Sequence, residues 1–220
     1  EISACLVGSE MCIRDSLSIM CSNKRQRKGE LDMKSTKKLV IGALMAALTC
    51  IATMIIKIPT PTLGYIHLGD GLVLLCGIVL GPLGGALSAG IGSMFADIFS
   101  GYASWAPATL IIKALTSFVA GFLFHRMQHR FNGNGAKYLS IILGGIIGEA
   151  VMVFGYFVYE AGLAALASGH FNSATLAAGI ASSASGIPFN ILQGVTGIVI
   201  SLVLLPVLMK IEDAREWICA

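Results

Sequence analysis

Between Met33 and Ile211 the sequence holds only four carboxylates, Asp70, Asp97, Glu149 and Glu160. Its long apolar runs enclose one lysine, Lys113, and two amides, Asn190 and Gln193. An ionisable or amide side chain surrounded by apolar sequence is costly to bury unless it is paired or faces a cavity. Asp97, Glu149, Lys113, Asn190 and Gln193 are therefore candidates for recognising a polar ligand, with Tyr65, Tyr102, Trp105 and Tyr156 available as aromatic walls or a lid. Catalytic chemistry has less support. There is no G-x-x-x-x-G-K-[ST] phosphate loop, no G-x-S-x-G elbow and no H-E-x-x-H, so the chain has no recognisable ATPase site and no visible nucleophile and base pair. His125 and His129 stand at i, i+4, but among Arg126, Arg130 and Lys137 they read as part of a basic loop rather than a metal site. Cys50 and Cys76 lie in apolar runs and Cys219 near the end, a spacing that fits neither a disulfide framework nor zinc. No cofactor, metal or nucleic-acid partner is expected.

The elements that position these groups must be membrane helices. The chain is 55% hydrophobic and 12% charged, with a mean hydropathy of +0.81, whereas soluble domains carry about 25% charged residues. The expected fold is an all-α integral membrane protein. Apolar runs long enough to cross a bilayer fall at 39–56, 68–80, 83–99, 107–124, 138–161 and 186–209, with Gly81-Pro82 between the second and third. The small-residue loop 162–185 has room for a short surface helix. This gives a six-helix membrane domain at 33–211 and a tail at 212–220.

Residues 1–32 read as a non-native leader. The stretch MCIRDS, Met11 to Ser16, matches one reading frame of a sequencing-library adaptor, and Lys28-Gly29-Glu30 can be encoded by a ribosome-binding sequence just before a start at Met33. Lys34, Lys37, Lys38, Arg126, Arg130, Lys137, Lys210 and Arg215 all fall on one side of a six-span arrangement, and Lys57 alone lies in a loop on the other. By the positive-inside rule both termini are cytoplasmic.

In that arrangement Lys113 lies about 9 Å below the outer end of its span, and Gln193 at a similar depth, with Asn190 shallower. Glu149, Val153, Tyr156 and Glu160 share one helix face. Asp97 ends the third span on the outside, and His67 and Asp70 begin the second. The polar groups thus converge on the outer half and describe an outward pocket rather than a through-channel. Small residues form a second pattern. Ala43 and Ala47 make an A-x-x-x-A face on the first span, suited to internal packing or to docking another membrane protein. GPLGGALSAGIGS (81–93) suits burial of the third span within the bundle.

The segment from Pro59 to Phe124, with GYIHLGD, LGPLGGAL, GIGSMFAD, GY and WAPATLIIK, resembles the S component of energy-coupling factor (ECF) vitamin transporters of the riboflavin type, and GEAVM and NILQG resemble it more loosely. The resemblance implies a multi-pass protein of the bacterial plasma membrane that captures a vitamin from outside. It would work with a membrane coupling protein and two cytoplasmic ATPases as an ABC-type importer. It assigns Ala43 and Ala47 to the coupling protein, and to ligand closure the loops that carry Tyr65, Tyr102 and Trp105. Stacking on a flat heterocycle by Trp105 and a tyrosine is then expected, with Asp97, Lys113, Glu149, Asn190 and Gln193 as polar partners. Riboflavin is favoured, with hydroxymethylpyrimidine and pyridoxine as alternatives. Two other classes fit the residues: an ion-coupled secondary transporter using Asp97, Glu149 or Glu160, against which the lack of an inverted repeat counts, and an accessory subunit that binds nothing.

Overall fold

A computed structural model describes residues 36–59, 65–128, 134–167, 172–211 and 218. The expected leader, Lys34, His129, Arg130, Arg215 and all of the tail but Ile218 lie outside the described residues. The chain divides into two units, Glu1–Ile41 and Gly42–Ala220. The first contributes only the opening turns of α1 (Thr36–Ile55) to the described residues, and the second holds every feature that follows.

After α1 come β1 (Lys57–Pro59), β2 (Tyr65–His67), α2 (Asp70–Phe99), α3 (Ala106–Gln128), α4 (Asn134–Ala167), α5 (Ser173–Ala184) and α6 (Ile187–Leu208). Five of these, α1, α2, α3, α4 and α6, are long and apolar enough to cross a membrane. The fold is helical as expected, apart from one antiparallel hairpin in which Lys57 faces His67, Ile58 faces Ile66 and Pro59 faces Tyr65. Strands of three residues are too short for an alternating pattern to show in the sequence.

The runs expected as separate second and third spans form one helix, α2, broken at Gly81. In an unbroken helix Gly77 and Gly85 would be about 12 Å apart, yet a Cβ built on Gly85 would lie 2.4 Å from the Gly77 Cα. The chain therefore reverses at Gly81, and its two limbs pack backbone to backbone. Gly81 has φ 78° and ψ 174°, a region essentially closed to residues with a side chain. Since a Cβ there meets nothing within 4 Å, Gly81→Ala should cost backbone strain alone, about 1–3 kcal/mol. A lowered unfolding temperature of the purified protein in detergent checks this, and an unchanged one would sink it.

The limb 70–80 is apolar nearly all round and is buried on every side. It crosses α3 at very close range, a Cβ on Gly121 falling 2.5 Å from the Gly77 carbonyl oxygen. The limb after Gly81 corrects the expectation of a fully buried third span. Gly85, Ala89, Gly92, Ser93 and Ala96 face the bundle, while Leu83, Leu87, Ile91 and Phe95, spaced by four, are exposed. Small residues permit the helix contact, and the large apolar ones suit lipid.

On α1, Met45, Thr49 and Thr53 point inward, and Ala46 takes the close contact, its oxygen 2.4 Å from a Cβ built on Gly92. Ala43 and Ala47 are exposed beside Leu44 and Leu48, so that face does not serve internal packing. The short helix expected between the last two spans is α5, started by an Asn172–Thr175 capping box. It packs on α4, which runs to Ala167, six residues past the predicted end at 161.

Candidate functional site

The hairpin, the turn at 100–105 and the adjoining ends of α2, α3, α4 and α6 surround a narrow cleft, with about 390 Å³ of empty space when its open mouth is included. Its lining comes from every one of these elements except the turn's first residues. β2 contributes Tyr65 and His67, α2 Asp97, the end of the turn Trp105, α3 Thr109, α4 Tyr156 and Glu160, and α6 Asn190 and Gln193. The helical period places them. Trp105 and Thr109 are one turn apart, as are Tyr156 and Glu160, and Asn190 and Gln193 are three residues apart.

The β1–β2 hairpin is fastened over this end of the bundle by polar contacts. The Tyr65 hydroxyl donates to Asp97 Oδ1 at 2.5 Å. The Tyr65 ring packs on Tyr102 with centroids 4.8 Å apart. Lys57 Nζ donates to Ser100 Oγ at 2.8 Å and sits 5.8 Å from the Tyr65 ring centre. Burial, then the charge and hydrogen bond of Asp97, push the Tyr65 phenol well above its ordinary range, so it remains a donor at any working pH.

Behind the cleft lies a buried charge network. Lys113 is ion-paired with Asp70 Oδ1, and both side chains are fully buried. Gln193 Nε2 donates to Asp70 Oδ2 at 2.6 Å, while Gln193 Oε1 accepts from the His67 backbone N–H at 3.0 Å. One amide thus ties α6 to α2 and to the hairpin. The Lys113 ammonium lies 5.3 Å from the Tyr156 ring centre, and the Tyr156 hydroxyl donates to Thr109 Oγ1 at 3.2 Å. Trp105 packs edge-on against Tyr159 with centroids 5.3 Å apart, and Tyr159 donates to the Ser104 carbonyl at 2.5 Å.

Of the nine binding residues expected from sequence, the structure brings six to the cleft: Tyr65, Asp97, Trp105, Tyr156, Asn190 and Gln193. Three stand off it. Tyr102 supports Tyr65 from the side, and Lys113 is occupied by Asp70. Glu149 is buried against α6, where a Cβ on Gly194 would lie 2.9 Å from the Glu149 Cβ. His67 and Glu160, placed by depth at this end without an assigned binding role, and Thr109, which the sequence reading did not single out, also line the cleft. Thr109 was legible as the residue one turn from both Trp105 and Lys113, and Glu160 as the fourth residue after Tyr156. Asn190 makes no side-chain hydrogen bond among the described residues, which leaves its amide open to a ligand. No group of three His, Cys, Asp or Glu among the described residues could hold a metal ion.

His67 sets a pH dependence. Burial, reinforced by Lys113 and opposed by Asp70, brings its imidazole down to about 4 from 6.5. The unfolded chain then takes up a proton below pH 6.5 that the folded chain refuses until about pH 4. Stability should hold above the higher value and fall as pH drops through the window, by about 3 kcal/mol in all. Unfolding temperatures across this range, compared with His67→Gln, check it. The variant should lose this part of the acid sensitivity, and an identical profile would remove His67 from the account.

Three comparisons with known proteins bear on this arrangement. The sequence model for the ECF-type riboflavin transporter S component matches residues 33–210. A Pyrococcus woesei protein described as an uncharacterized protein in gap 3'region is 37% identical over 107 residues, which are 48% of this chain and 66% of that protein. The match thus spans just under two thirds of that relative's length. A solved S component of a bacterial ECF transporter superposes with a TM-score of 0.54 at 20% identity, covering 80% of this chain and 97% of that one, and so shares the fold. The family is membrane-embedded, and five helices here can span a bilayer, so the chain is a multi-pass membrane protein. Its sequence follows one family model from 33 to 210: the chain belongs to the ECF-type riboflavin transporter S component family, whose members are substrate-binding transporter subunits and not enzymes.

Proposed function

We propose that this protein captures riboflavin on the outer side of the bacterial plasma membrane for an ATP-driven ECF-type importer. The observation that carries the reading is the cleft itself. Three aromatic rings, Tyr65, Trp105 and Tyr156, stand with an uncommitted amide, Asn190, around one cleft. A flat heterocycle stacks on such rings, and its polar edges meet Asn190, Asp97 and Glu160. Gln193 contributes mainly by holding the hairpin and α6 in register. Hydroxymethylpyrimidine and pyridoxine have the same general character, and membership of the riboflavin-type family favours riboflavin over them.

The two limbs of α2 count as separate crossings in this reading, which gives six and places both termini in the cytoplasm with the basic residues. Lys113, Tyr102 and Glu149 then support the site without touching ligand. The exposed Ala43 and Ala47 face of α1 is available to the membrane coupling protein, whose two ATPases supply the energy.

The test is titration of the full chain in mild detergent with riboflavin, read by quenching of flavin fluorescence, together with mass spectrometry of small molecules released from the purified protein. One flavin per chain is expected. Saturable binding of a pyrimidine or pyridine instead would replace riboflavin, and uptake by cells lacking any ECF module would overturn the importer assignment.

A further inference from the structure

We propose that a phospholipid of the surrounding bilayer occupies a groove at the end of the bundle remote from the cleft, with an acyl chain between the α2 reversal and α3 and its phosphate on Arg126. The groove is lined by Leu80 to Gly84 at the reversal and by Phe118 and Phe122 of α3, and it is open to the side. Diverging helices make it. The second limb of α2 meets α3 closely at Gly90, where a Cβ would fall 2.8 Å from the Leu110 carbonyl oxygen. At Gly84, nearly two turns closer to the reversal, a Cβ would meet nothing of α3 within 4 Å among the described residues, and at Gly81 it would meet nothing within that distance. Gly84 has neither the positive φ of Gly81 nor a close contact with another helix to require it, although glycine costs a helix stability relative to alanine. Its effect is to leave the space beside the two phenylalanines unfilled.

Two observations name the occupant. The first is continuity with the lipid-facing surface. Leu83, 74% exposed, begins the exposed stripe of α2, and Ile111, Leu115 and Phe122 form another on α3. Leu83 and Phe122 also line the groove, so it opens directly onto the surface that meets hydrocarbon. An apolar depression in such a face is filled by an acyl chain, since the bilayer core offers no water to fill it. The Phe118 and Phe122 rings are nearly parallel, at 4° with centroids 6.3 Å apart, and give that chain a flat wall. The second observation is charge. Arg126 is exposed and stands in the last turn of α3, one turn beyond Phe122 on the same face. It is about 6 Å further along the axis, where the helix passes from hydrocarbon to headgroups. A guanidinium fork fits phosphate oxygens, and basic pockets between membrane helices hold lipid headgroups.

The experiment titrates dioleoylphosphatidylglycerol into the delipidated full chain in detergent and reads the affinity of the first lipid bound by native mass spectrometry. Dioleoylglycerol supplies the same chains without the phosphate. The phospholipid should bind more tightly than the diacylglycerol by about fivefold or more. Arg126→Gln should remove that advantage and leave the diacylglycerol unaffected, a difference that general misfolding would not produce. Gly84→Leu, which fills the groove, should weaken both lipids at least about tenfold. Where Gly84→Leu does not fold, the Arg126 comparison decides alone, because an advantage that survives Arg126→Gln overturns the inference. Equal binding of the two lipids by the parent chain overturns it as well, and so does unchanged lipid affinity in a folded Gly84→Leu variant. If that variant also loses a copurifying ECF module, the groove belongs to the coupling protein instead. Riboflavin takes no part in these readouts, so either result leaves its assignment where it stood.

Discussion

Lys113→Met should destabilise the folded protein by about 3–5 kcal/mol, while Lys113→Met combined with Asp70→Asn should recover most of that loss. The asymmetry follows from burial. Neither side chain of this pair reaches solvent, so removing the ammonium leaves the Asp70 carboxylate facing Gln193 Nε2 alone. A buried charge stripped of its counter-charge costs far more than the pair contributes when intact, because both partners were desolvated to form it. Replacing both by neutral groups of similar size removes the uncompensated charge, and an asparagine at 70 can still accept from Gln193. Unfolding midpoints of the two single variants and the double variant in one detergent form a double-mutant cycle. Losses that simply add would mean that the two residues act independently. The prediction reaches the cleft as well. Asp70 holds Gln193, and Gln193 holds the His67 backbone, so the single variant should also loosen the hairpin.

The sequence carried this fold unevenly, for physical reasons. Apolar runs made the helices legible, since a lipid-facing helix needs a length and composition that little else requires. Gly81-Pro82 marked the reversal in α2, because the backbone there demands glycine and the next residue has no N–H to give. The hairpin stayed hidden, three-residue strands having too little pattern. Depth along each helix brought Asp97, Tyr156, Asn190 and Gln193 to one end of the bundle, but depth does not say which way a side chain turns. Lys113 and Gln193 have similar depths, yet only Gln193 reaches the cleft, because Lys113 meets Asp70 across the α2–α3 contact. That pairing depends on the limb 70–80 folding back inside the bundle. Glu149 and Tyr156 share a face of α4, but seven residues, about 10 Å, separate them, and α6 covers the lower one at Gly194. The A-x-x-x-A face of α1 left two uses open, and only the packing of Ala46 rather than its neighbours decided against the internal one.

Trp105→Ala should weaken riboflavin binding at least tenfold, about 1.4 kcal/mol, and Trp105→Phe should weaken it less. Trp105 lies on the cleft wall between α3 and α4 and is held edge-on by Tyr159 and at 6.3 Å by Tyr156. Its ring is therefore fixed before any ligand arrives, and a stacking partner already in place spares the ligand the ordering cost of its contacts. The same packing makes alanine disruptive to the protein itself, since deleting a buried tryptophan commonly costs about 3–5 kcal/mol of stability. An affinity loss from alanine alone would be ambiguous for that reason. Phenylalanine resolves it, because it keeps an aromatic face and most of the packing while losing the larger indole surface. Stacking predicts the affinity order tryptophan, phenylalanine, alanine among samples that remain folded by their unfolding transitions. A ring that merely anchors the turn at 100–105 predicts affinities that follow stability and not ring size, and unchanged affinity in a folded alanine variant would take Trp105 out of the ligand's surroundings altogether.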